Sequence, residues 1–271
     1  MSLELQDRSQ GIRRDAVTEA DWLTCADPQK MLEFLRATVS DRKLRLFACA
    51  CVRRVWHLLT DEESRHCVAT AERFADGAAT KAERHEAGRA ANRVVHSHYP
   101  VTTTTHQAWS ETHGVGEATE LLRLWASFSA ATAAAMLSSR KMTRHPLASS
   151  VAIEAASAVW QATCPPKLER PWEKNRQAAL VWSRERRTQC RLVRDIFNPF
   201  RPIRLNPTWQ TPEVVSRAQA IYDDRAFDRL PILADALEEA GCHRPDILTH
   251  CRQPGEHVRG CWVLDLLLGK S

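Results

Sequence analysis

The stretch DRKLRLFACACVRRVWHLL, residues 41–59, decides the fold. Leu44, Phe47, Cys51, Val55 and Leu58 recur at steps of three and four, which lines them along one side of a 3.6-residue helix. Arg42, Arg45 and Arg53 fall mostly off that stripe, and Ser40-Asp41 supplies a start signal. Working outward, the same helical grammar continues. Asp27-Pro28 places a capping carboxylate before a proline at the first helical position. Thr60 and Glu63 have the spacing of a capping box for a helix with Cys67, Ala71 and Phe74 on its inner face, and Gly77 ends it. A polar, alanine-rich helix is predicted from about residue 80 to 98. Residues 99–116, YPVTTTTHQAWSETHGVG, break the pattern: four Cβ-branched threonines after a proline predict a long surface loop, with a short strand as the alternative. Small-residue helices at 117–140 and 146–163 are expected to pack as a hairpin, followed by a long helix over 172–197. The connector NPFRPIRLNPTW (198–209) is too rich in proline for helix. Thr211-Pro212-Glu213 restarts helix, and three short helices follow at about 230–240, 246–252 and 258–268, with Gly241 and Gly269 as stops. No run alternates as a strand does.

The expectation is an all-α chain: an irregular multi-helix bundle over 20–200 with a small C-terminal helical subdomain at 211–271, or both as one continuous domain. At 271 residues, 44% hydrophobic and 26% charged, with 9 Gly and nine Trp, collagen-like and largely disordered readings are excluded. The net charge of +5 is too small a surplus to imply nucleic acid or an anionic membrane. The uncharged run at 124–139 has 16 residues, short of the ~20 a membrane span needs. Residues 1–20 mix acids and bases where a secretory signal needs an apolar core. Nine scattered cysteines without a CxxC pair predict a reduced, cytoplasmic protein without disulfides or membrane partner.

Two clusters carry chemistry. Cys242, His250, Cys251, His257 and Cys261 offer five soft or borderline ligands within twenty residues, a set that suits zinc. A helix beginning near His257 would put His257 and Cys261 one turn apart. The alternative is that the cysteines pack beneath helix ends. A nucleophile set of Cys261, His257 and Asp265 needs help from another segment, because eight residues of helix separate His257 from Asp265 by about 12 Å. The second cluster is basic. Residues 167–204 hold eleven Lys/Arg against four acids, and Arg184, Arg187, Arg191 and Arg194 follow helical steps near Trp172 and Trp182. Such a row grips phosphates or a partner, or pairs internally; the six acids of 223–239 are the expected internal partners. His96, His98, His106 and His113 flank the threonine run and are expected to be loop histidines. Phosphate loops, GxGxxG, HExxH and GxSxG are absent from the sequence.

Three blocks add a resemblance: residues 18–77, with WHLLTDE at their centre; residues 192–209; and residues 227–270, with LADALEEAGC, HCR and HVRGCWVLDLLLGK. Together they resemble a large paralogous family of uncharacterised bacterial proteins, which implies a modular helical protein and carries over no functional residue. The resulting expectation is a non-enzymatic helical interaction or adaptor protein. The alternatives are a zinc-stabilised module or metal enzyme built on the C-terminal Cys/His cluster, and a nucleic-acid binder using the arginine row.

Overall fold

A computed structural model describes residues 17–35, 38–111, 115–140, 142, 147–163, 176–200 and 203–270. Among them are twelve α-helices and no strand, so the chain is all-α. No described helix is long and apolar enough to cross a membrane.

The first eight helices are α1 (Glu19–Thr24), α2 (Pro28–Leu35), α3 (Asp41–Arg54), α4 (Glu62–Ala75), α5 (Lys81–Glu111), α6 (Val115–Met136), α7 (Leu147–Thr163) and α8 (Arg176–Ile196). All of them except α5 contribute to one apolar core, through which α3 runs, and α5 packs beside it through Ala87 and Ala91 against Cys67 and Ala135. Leu44, Phe47, Cys51 and Val55 are buried as the stripe predicts, but so is Arg45, at 0% exposure. Helices pack around α3 on nearly every side. Arg45 survives there by donating to the Leu137 carbonyl at the C-terminus of α6 and to Asp41, where the helix dipole favours a cation. The alanine faces of α6 and α7 bring these two helices into the most extensive pairing of the bundle. Close approach recurs at Gly88 of α5, where an added Cβ would lie 2.1 Å from the Ser138 Cβ.

Three local expectations are corrected. The threonine run is not a loop, because α5 continues through it to Glu111. Threonine costs at most about 0.7 kcal/mol per residue in a helix, which a long helix already nucleated tolerates. His98 and His106 therefore lie on this helix, as does His96, whose Nδ1 meets the Asn92 carbonyl; His113 lies outside the described residues. Thr60 does not cap α4: the N-cap is Asp61, and the Thr60 hydroxyl bonds to the Asp61 carboxylate instead. A reciprocal box forms at Thr80 and Glu83, ahead of α5.

The remaining helices, α9 (Pro212–Asp224), α10 (Leu230–Glu239), α11 (Pro245–Arg252) and α12 (Trp262–Leu267), enclose a second core that includes Val214, Ile221, Leu233, Ile247 and Leu264. Thr211 caps α9 through the Val214 amide, as its sequence predicts. The last helix is shorter than expected. Gly260 adopts φ 92°, and a Cβ added there would lie 3.1 Å from Leu46 Cδ1; residues 255–260 form an irregular strap and Cys261 becomes the N-cap of α12.

Charged side chains bind the second unit to the first. Arg42 of α3 reaches both Asp265 oxygens (2.7 and 3.0 Å), Asp76 (3.0 Å) and the Tyr222 hydroxyl (2.9 Å). Arg54 pairs with Glu185 and Glu256, and Arg225 with Glu72. The fourth tie is the candidate site.

Candidate metal centre

Asp195 is in the last turn of α8, where a carboxylate faces the negative end of the helix dipole. It needs positive or donating partners, and the strap and α11 provide them. The Val258 backbone N–H donates to Oδ2 at 2.9 Å. His257 Nδ1 lies 2.5 Å from Oδ1, and His250 Nε2 lies 3.2 Å from the same oxygen. His250 Nε2 is also 3.2 Å from Cys261 Sγ. One ligand atom from each of Asp195, His250, His257 and Cys261 fits within a 4.8 Å cluster.

Each side chain is placed by its element. His250 is in the last turn of α11, Cys261 at the start of α12, and His257 on the glycine-flanked strap between them. The irregular strap sets His257 against Asp195. The Trp262 indole N–H donates to His250 Nδ1 at 3.1 Å. An indole N–H only donates, so Nδ1 carries the lone pair and Nε2 the proton in neutral His250.

The electrostatics are those of a dry carboxylate between two imidazoles. Burial pushes the Asp195 carboxyl up, but the hydrogen bonds and charges of His250 and His257 hold it below its ordinary range. Burial pulls His257 down, and the Asp195 bond and charge outweigh it and raise it. His257 Nε2 is buried and makes no hydrogen bond of regular geometry. Burial drives the Cys261 thiol well above the usual range, with the Asp195 charge adding to it. Such a thiol is no nucleophile by itself.

No protein-family model matches the chain. Neither a curated protein nor a solved structure matches it.

The structure gathers three of the five C-terminal ligands anticipated above and leaves two aside. Cys242 and Cys251 are buried in the apolar core of the second unit, and burial lifts the Cys251 thiol to about 12. Asp195 takes their place. An acid set in the apolar run LVRDIF at a helix C-terminus was the available signal for it. The set of Cys261, His257 and Asp265 does not assemble, because Asp265 is held by Arg42 and Lys43. On α8, Arg184, Arg187 and Arg191 are exposed, whereas Arg194 donates to the Trp22 and Cys25 carbonyls. The 223–239 acids do not pair with this row: Asp235 and Glu238 hold Arg252, and Asp223 accepts from Gln219. Trp172 lies outside the described residues.

Proposed function

We propose that this protein is a non-enzymatic helical interaction module whose C-terminal unit is fastened to α8 by a zinc-type ion held by Asp195, His250, His257 and Cys261. One observation carries the metal part of the reading: a thiol, two imidazoles and a carboxylate from four separate elements meet within 4.8 Å. Zinc takes such donors tetrahedrally at ~2.0–2.3 Å, which sets neighbouring ligand atoms about 3.3–3.6 Å apart. The two 3.2 Å separations around His250 Nε2 are close to that spacing. An ion would neutralise the thiolate and carboxylate together, and among the four side chains His257 Nε2 is the buried atom without a hydrogen-bond partner. Four protein ligands in a largely buried set suit a structural ion, since catalytic zinc keeps a position open. A cleft of about 400 Å³, lined by Trp22, Thr249, His250 and Trp262 among others, borders the set at His250.

Loading has a specific cost. Coordination through Nε2 would require the His250 proton to sit on Nδ1, and Trp262 would then lose its acceptor. The test is titration of chelator-treated protein with Zn²⁺, followed by elemental analysis and the indole N–H resonance of Trp262. One equivalent bound, a shifted Trp262 resonance, and loss of both in Cys261→Ser but not in Cys242→Ser support the reading. Absence of stoichiometric ion in folded protein overturns it.

A further inference from the structure

Two exposed helix faces of this chain are complementary, and among the described residues no ion pair joins them within one molecule. On α8, Leu180 is 67% exposed, and Arg184 and Arg187 follow it one and two turns later, also exposed. Among the described residues neither arginine has an acidic partner. On α10, Ile232 is 52% exposed, and Asp235 and Glu239 follow it one and two turns later, also exposed. Three acids of α10 (Asp235, Glu238, Glu239) stand against the single guanidinium of Arg252, which bridges the first two. Each face therefore reads aliphatic, charge, charge from its N-terminal end, with opposite signs.

We propose that the α8 face docks in parallel register on the α10 face of a second copy of this chain. Leu180 then meets Ile232, Arg184 meets Asp235 and Arg187 meets Glu239. The two faces are different surfaces, so the contact is head-to-tail and assembles rings or open chains rather than a closed dimer. One helix face per partner buries far less than the ~1,200–2,000 Å² of stable complexes, so the association belongs to the weak, transient class. Ion pairs at the rim make it sensitive to salt. The observed face favours a protein occupant over nucleic acid, because its apolar member is an aliphatic side chain and not an aromatic stacking platform.

Sedimentation velocity on the full chain tests this. The average mass is expected to rise with protein concentration at about 0.05 M salt and to return to monomer at about 0.5 M. Arg184→Glu with Arg187→Glu is expected to weaken self-association at least tenfold, as is Asp235→Lys with Glu239→Lys, with circular dichroism unchanged. Arg184→Gln with Arg187→Gln serves as the milder pair should the reversal disturb folding. An equimolar mixture of the two reversed proteins restores complementary faces and is expected to recover association. A wild-type chain that stays monomeric at its highest soluble concentration overturns the proposal, as does a folded mixture that fails to recover. A monomeric wild type whose arginine row retains a labelled single-stranded oligonucleotide overturns it in favour of nucleic acid.

Discussion

The α6–α7 pair and the C-terminal unit are both buried helical structure, but they hold together by different physics. The first is a contact of small side chains: Ala130, Ala133 and Ala134 face Ala148, Ala152 and Ala155 in one apolar core. Its strength lies in the number of close contacts, and little of it depends on charge. The second packs larger aliphatic residues around its own core, yet it joins the bundle through arginine pairs and the Asp195 hub. Two units of similar helicity should therefore fail under different insults, and the following experiments separate them.

The largest effect is expected from Asp195→Ala. Removing one partner from a buried charged set costs about 3–5 kcal/mol, and hydrogen exchange should show α11 and α12 losing protection while α6 and α7 keep theirs. Zinc comes next. At a hundredfold excess over its dissociation constant an ion that binds only the folded state contributes about 2.7 kcal/mol. Thermal melts should show that gain in the C-terminal unit and lose it in His257→Ala. Gly88→Ala probes the opposite region. Its Cβ would meet Ser138, and overpacking of about 1–3 kcal/mol should appear in the bundle and leave zinc affinity unchanged.

Acidity sharpens the contrast in chelator-treated protein. His257 is raised in the folded state, so its pairing contributes fully below its unfolded value, near ~6.5, and is lost as pH rises through the folded value. Asp195 is lowered, so its contribution is present above ~3.9 and is lost as pH falls through its folded value. Denaturant midpoints should therefore be highest between these limits, and His257→Gln should flatten the alkaline side. Smallest of all is Glu256→Ala. Its carboxylate is 54% exposed and shares Arg54 with the buried Glu185, so a loss of about 0–1 kcal/mol is expected.

Much of the helical skeleton was legible because its signals are local. Thr211-Pro212 starts α9, Gly241 (φ 84°) follows α10, and the stripe of α3 faces inward. The errors fell where local preference was outvoted. Residues 101–111 stay helical although threonine weakly disfavours helix, and Arg45 is buried although arginine prefers water. Three of the four side chains of the candidate site were legible. His250, His257 and Cys261 were visible as a ligand-rich run, but Asp195 lies 55 residues before His250, and no spacing rule links them.

By itself the sequence determined that this chain is helical and where most helices begin and end, because caps, prolines, glycines and 3.6-residue periodicity act within a few residues of the backbone they control. Only the tertiary structure decided which polar groups meet. Burying Asp195 forces it to find donors, and only the docking of the strap and α11 against the end of α8 places two imidazoles and a thiol beside it. Desolvation and proximity are properties of the packed molecule, and a linear order of residues does not contain them.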